Sequence, residues 1–320
     1  MIKTILQKAK RQSMGVSDAE AVGFSRGGTP KWTHLETAVR TAVGGYHTVL
    51  DDSRIDVLVP RLEEVNRDWR GYAYEGAAMG LTGLDCFLPT KSRFLAYVEG
   101  PARHHAYMAH IGAGEALARL RRRPQNFIDK LPHPVLRWLV MDGFGFHEGF
   151  FRPDRHIIGQ KIPDYLTAHA RRVFDQGIGR AVWFLTGADV DDISSILNAF
   201  PAHRHSDLWL GVGVGCGYVG GISEQEIRRL QHHSGQYERQ LGVGAAFVAK
   251  GRIQAGNLVT DTATAAEILC GKSAAEAAAM VDAGFAAVTH THSPCAYADL
   301  QEVLAGWIAP TTSSTGKALR

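Results

Sequence analysis

Two glutamates, Glu75 and Glu148, stand in glycine-rich stretches, YEGAAMGL at 74–81 and GFGFHEGFF at 143–151. Each lies immediately before a glycine, Gly76 or Gly149. Two carboxylates on neighbouring elements, facing one cavity, can pass a proton to and from a substrate, or hold a metal with nearby imidazoles. His147 and His110 are the histidines placed to join them. The expected catalytic set is therefore Glu75, Glu148, His147 and His110. The residues leave acid–base and metal-assisted chemistry both open, and leave any cofactor unnamed. A carboxyl group in apolar surroundings keeps its proton to higher pH, which suits chemistry near neutrality. The competing expectation pairs Glu148 with Arg152 or Arg155 and has it hold a helix end.

Other motifs point to chemistry with less support. Asp189-Val-Asp-Asp192 has the DxDD form in which a carboxylic acid, kept protonated by its neighbours, protonates an alkene as in terpene cyclases. TGADVDDISSIL is also a good helix start, with Asp189 as cap and acids in the first turn. The cap is the reading adopted, with alkene protonation as its alternative. A GxGxxG pattern spans Gly215–Gly220, but the polar, helical SEQEIRRLQHHSGQYERQ follows it. The strand–turn–helix unit of a dinucleotide site is missing. The 15 histidines include His203, His205, His232, His233, His290 and His292, and none has HExxH spacing. No nucleophile elbow, Walker loop or kinase signature occurs.

The elements that position these residues recur along the chain. Gly112 and Gly114 match Gly177 and Gly179, then Gly242 and Gly244, with an offset of 65 residues each time. Gly44 and Gly45 form a weaker earlier copy. Between these segments lie others centred on Gly76, Gly149 and Gly217, with a fourth near Gly284. About four pairs therefore repeat with a period of roughly 65–73 residues. Apolar residues such as Ile111, Ala113, Leu117 and Leu120 recur at helical spacing. Glycine weakens a helix by about 1 kcal/mol, so repeated glycines require a reason, and close helix–helix approach supplies one. The expected fold is mainly α: helical-hairpin repeats forming an α-solenoid or a closed helical ring.

Composition sets the outer bounds. The 320 residues are 45% hydrophobic, and no apolar run reaches the ~18 residues of a membrane span. Four scattered cysteines without CxxC spacing point to a reducing compartment, so a cytoplasmic location is expected. A net charge of +3 is too small to imply nucleic acid. The Arg119–Pro124 cluster reads as a helix C-terminus. Residues 1–30 are expected to form an arm, 31–308 a single repeat domain, and 309–320 a disordered tail.

YEGAAMGL at 74–81, FHEGFF at 146–151, FDQGIGRAVWF at 174–184, DLWLGVGVGCGYVGG at 207–221 and LGVGAAFVAKGR at 241–252 together resemble a bacterial family. It is the domain-of-unknown-function family seventeen-oh-two, often labelled enediyne biosynthesis protein. The resemblance covers roughly residues 30–308 and is weakest at VTHTHSPCAYADL. It implies a role in maturing a polyene or similar lipophilic intermediate of enediyne or polyketide type. It supplies no catalytic residues. The two functions expected are an enzyme acting on such an apolar intermediate between helices, or a non-catalytic helical-repeat protein that binds it or presents it to other proteins of the pathway.

Overall fold

The computed structural model describes residues 29–88, 92–289 and 295–309. Among these residues every regular element is helical and there is no strand, in line with the expected class. Only Thr29 and Pro30 of the expected arm, and Ala309 of the expected tail, are described; the rest of both segments lies outside these residues, as do His290 and His292.

Among the described residues nine long helices carry the core: α1 (Pro30–Asp51), α3 (Arg70–Phe87), α5 (Ala106–Arg119), α7 (Leu139–Phe151), α8 (Ala168–Leu185), α10 (Ala202–Tyr218), α12 (Glu238–Gln254), α14 (Ala274–Thr289) and α15 (Ala296–Trp307). Shorter ones link them: α2 (Ile55–Glu63), α4 (Arg93–Glu99), α6 (Gln125–Ile128), α9 (Val190–Asn198), α11 (Glu224–Ser234) and α13 (Thr260–Cys270). Local chemistry fixes several starts. Thr29 caps α1, with Pro30 at its first position. Ser223 and Glu226 form a capping box on α11. Each long helix packs on the next in the series, and one buried apolar cluster runs from Leu35 to Ile308.

The glycines explain that packing. Residues i and i+2 of an α-helix lie about 200° apart around its axis, so a Gly-x-Gly pair faces two opposite neighbours. Gly143 lies against the Ile111 carbonyl of α5, and Gly145 against the Phe174 carbonyl of α8. Gly177 meets the Asp142 carbonyl, and Gly179 that of Leu208 on α10. Gly211 meets the Gln176 carbonyl, and Gly213 that of Leu241 on α12. A Cβ at any of these would fall under 3.0 Å from backbone atoms. Each contact places a glycine Cα against a carbonyl, the setting of weak Cα–H···O contacts.

This register changes the repeat read from sequence. Gly112, Gly143, Gly177 and Gly211 open equivalent pairs at intervals of 31, 34 and 34 residues, and on α12 the glycine that meets the preceding helix is Gly244, at the Leu210 carbonyl. The two kinds of segment are thus the same element, and the longer period spans two of them. The second kind registers on Gly143 and Gly211 rather than on Gly149 and Gly217. Nor do successive long helices reverse as a hairpin would. Between α7 and α8 the contacts advance from Asp142–Gly177 to Gly149–Ala181, and between α1 and α3 from Ala42–Gly76 to Val49–Gly80. In these pairs, and likewise between α8 and α10 and between α10 and α12, the helices run in the same sense, and α9 and α11 make the return journeys after α8 and α10.

The array curls back on itself. Tyr72, at the start of α3, packs edge-on against Tyr218 at the end of α10, with ring centroids 5.2 Å apart. Arg252 of α12 donates to the Asp68 carbonyl at 2.7 Å, and His34 of α1 bonds the Val219 carbonyl at 2.6 Å. Early and late helices therefore face each other across an interior.

Candidate active site

Arg180 of α8 lies in that interior, buried, with three carboxyl groups around it. Its Nη2 is 2.9 Å from Asp142 Oδ1 and 3.9 Å from Glu115 Oε1, and its Nη1 is 3.6 Å from Glu75 Oε1. The Asp142 contact is a charge contact out of line for a hydrogen bond. The guanidinium also sits over the Phe146 ring, 4.1 Å from its centroid. Gln176 Nε2 donates to the other Asp142 oxygen at 2.7 Å, and Tyr297 in turn donates to Gln176 at 2.8 Å. A chain of polar contacts thus runs from α15 to α3 through the centre.

Helix packing places this group. Glu75, Asp142 and Gln176 each stand one residue before the first contact glycine of their own helix, Gly76, Gly143 and Gly177. On α5, between α3 and α7, the same place is held by Ile111, and these equivalent places line the cavities of the interior. Asp142, not Glu148, is therefore the counterpart of Glu75. Sequence reading on Gly149 missed it by six residues, and missed Glu115 and Arg180 as well. The signal was present in the acid–Gly-x-small pattern shared by Glu75-Gly-Ala-Ala78 and Asp142-Gly-Phe-Gly145.

One cation among three carboxyl groups leaves excess negative charge, and burial makes it costly. Burial, and then the Glu115 charge, push the Glu75 carboxyl well above the ordinary range. Burial raises Glu115 to about 7, against the attraction of Arg180 and its hydrogen bond with Glu75. Asp142 is raised by burial, opposed by Arg180 and Gln176. For Arg180 burial works the other way, but the three carboxyls outweigh it and hold the guanidinium charged. Burial and the nearness of the Glu75 and Glu115 carboxyls to each other both favour the protonated form in this pair.

Two cavities adjoin the cluster. The first is lined by Val39, Tyr46, Met79, Phe146, His147 and Phe184, with Glu75 and Glu115 in its wall. The second lies among Ile111, Leu139, Val214, Tyr218, Phe247 and Tyr297, with Asp142 in its wall. Positions open to the centre of a water molecule fill about 70 Å³ in the first and about 40 Å³ in the second. Tyr72, Arg180 and Phe184 belong to both. The Tyr72 hydroxyl is buried there without a hydrogen-bond partner among the described residues.

The expected set of four is divided by the structure. Glu75 and His147 line the first cavity. Glu148 does not. Its carboxylate binds Arg152 Nη1 at 2.8 Å and the buried His156 Nε2 at 3.0 Å, and these partners outweigh burial and hold its pKa below the ordinary value. It is placed as the competing expectation had it, at the end of α7. His110 is also elsewhere: its Nδ1 bonds the Ala106 carbonyl at 2.6 Å, and burial lowers its pKa to about 4. The DxDD stretch is a helix cap. Asp189 accepts from the Asp191 and Asp192 amides, while Asp191 pairs on the surface with Arg229 and His233. The GxGxxG glycines end α10, where Gly215 packs against Trp183.

Among the described residues no helix is long and apolar enough to cross a membrane, and no three of His, Cys, Asp and Glu are grouped to hold a metal ion. No curated protein and no solved structure is significantly similar to the chain. One family model does match, over residues 2–305, almost the full length. On that match the chain belongs to the family described as Protein of unknown function (DUF1702).

Proposed function

We propose that this protein is a biosynthetic enzyme of a bacterial natural-product pathway of enediyne or polyketide type, and that it moves a proton on an apolar, polyene-like intermediate held between its helices. The observation that carries this reading is the placing of the Glu75 and Glu115 carboxyls together in the wall of a largely apolar cavity. In it, Glu75 is the acid that protonates one carbon of the conjugated chain. Glu115, ionising near neutrality, removes a proton from another, so a double bond shifts with no net change in atoms or electrons. Arg180 and Asp142 set the charge balance around the pair. With this goes the reading of the curled array as a closed solenoid, supported by the Tyr72–Tyr218 contact.

The second reading is a non-catalytic carrier of the same intermediate, acting with other proteins of the pathway. The ion contacts of Arg180 favour it, since carboxyl groups gathered around a guanidinium can serve as cavity wall alone. Protein purified from its native host, extracted with organic solvent and analysed by mass spectrometry, tests both. A neutral conjugated compound, altered on incubation with fresh protein, supports the enzyme. The same compound returned unchanged supports the carrier. A polar metabolite in its place contradicts both.

A further inference from the structure

The two cavities are arranged in a particular way along the helices. On α7, Leu139 and Asp142 line one, and Phe146, His147 and Phe151 the other. On α5 the division falls between Tyr107, Met108 and Ile111 on one side and Glu115 and Arg119 on the other. On α3 Tyr72 lines both cavities and Glu75 and Met79 only the first, and on α8 Gln176 lines only the second while Arg180 and Phe184 line both. Two helices, α5 and α7, thus present one continuous inward stripe each with the cavities end to end along it, and α3 and α8 supply the residues that the cavities share. From Leu139 to Phe151 the stripe is about 18 Å long at 1.5 Å per residue.

From this we infer that the two cavities are one narrow tube for a single extended apolar chain, and that the carboxyl cluster acts on the interior of that chain rather than on its end. The inference rests on the proposed function for the nature of the ligand, and adds its shape and the place where it reacts. At C–C bond lengths near 1.5 Å, the tube length suits a chain of roughly 12–15 carbons. The water-accessible space corresponds to on the order of 200 Å³ of matter, the volume of a thread rather than of a fused ring system. Tyr72, Arg180 and Phe184 line both halves, so side-chain movement at these three would join them. The ligand is neutral where it passes the centre, because three carboxyl groups against one guanidinium repel an anion.

The probes are all-trans-1,6-diphenylhexatriene, a neutral rod that fluoresces in apolar surroundings, and the shorter trans-stilbene. Fluorescence titration of the full chain is expected to show one equivalent of the long probe. Val43→Trp plugs the first cavity and Val214→Trp the second. Each alone is expected to weaken the long probe at least tenfold while stilbene still enters the open half. Two equivalents of the long probe, with each plug removing one, overturn the single tube and leave the proposed function standing. No binding of either probe by the folded wild-type chain overturns both. Where a tryptophan variant does not fold, a linear dodecane with a diazirine at each end replaces it. Cross-links from one molecule to both 146–151 and 247–251 support the tube, and cross-links confined to one group contradict it.

Discussion

Glu75 and Arg180 are 105 positions apart in the chain and 3.6 Å apart in the structure. The glycine contacts make that approach possible. Gly76, next to Glu75, lies on the Ala42 carbonyl, and Gly179, next to Arg180, on that of Leu208. The residues that give the helices their close packing therefore flank the residues that give the interior its charge.

Glycine identity at these contacts is testable against a built-in control. At Gly179 a Cβ would collide with the Leu208 backbone, so Gly179→Ala is expected to cost about 1–3 kcal/mol and lower the melting temperature. Gly44, exposed on α1, has nothing within 4 Å of its would-be Cβ. Gly44→Ala is expected to stabilise by up to ~1 kcal/mol through helix propensity and a less flexible unfolded chain. Equal melting shifts for the two variants would contradict the packing account.

Glu115 predicts a pH dependence of stability. Its folded-state pKa is raised from 4.5 to about 7, so its contribution is complete below the unfolded value and is lost as pH rises through the folded one. Urea denaturation between pH 5 and 8 is expected to show wild-type stability falling by on the order of 1–3 kcal/mol across that window. Glu115→Gln is expected to flatten the slope. A slope unchanged in the variant would assign the titration to another group.

Glu148 predicts the opposite sign. Its pKa is lowered, so its pairing stabilises above the ordinary carboxyl range and is lost as pH falls through the folded value. Glu148→Gln is expected to cost about 1–2 kcal/mol at pH 7, modest because Arg152 is one-third exposed. The gap from wild type should close in acid. Product formation in the native host is expected to persist, and its abolition in a folded variant would return Glu148 to the reacting site.

Asp189→Ala removes a cap with two amide contacts and is expected to lower stability by about 1 kcal/mol. Product formation is expected to be unchanged. Loss of product from a stable variant would revive alkene protonation by the DxDD stretch.

Helical class, the packing use of Gly-x-Gly, the Asp189 cap and the place of Glu75 beside a cavity were legible in the residues themselves. Periodicity and cap chemistry are local, and local patterns survive in sequence. The register between segments was not, because GFGFHEGFF offers three glycines, and only the neighbouring backbone decides which two make contact. Choosing Gly149 over Gly143 put Glu148 where Asp142 belongs. Arg180 was hidden for a different reason. Within FDQGIGRAVWF its charge is unremarkable, and its importance arises from three carboxyls supplied by α3, α5 and α7.

Glu75→Gln, placed on the chromosome of the native host, is the most direct measurement of the proton-transfer account. The substitution keeps shape and hydrogen-bonding capacity while removing the acidic proton. With a normal melting temperature, the variant is expected to lower the pathway product at least about 100-fold, the usual scale for loss of a general acid, and to accumulate a lipophilic precursor of the same mass as the next intermediate. Full product yield from the folded variant would contradict the account.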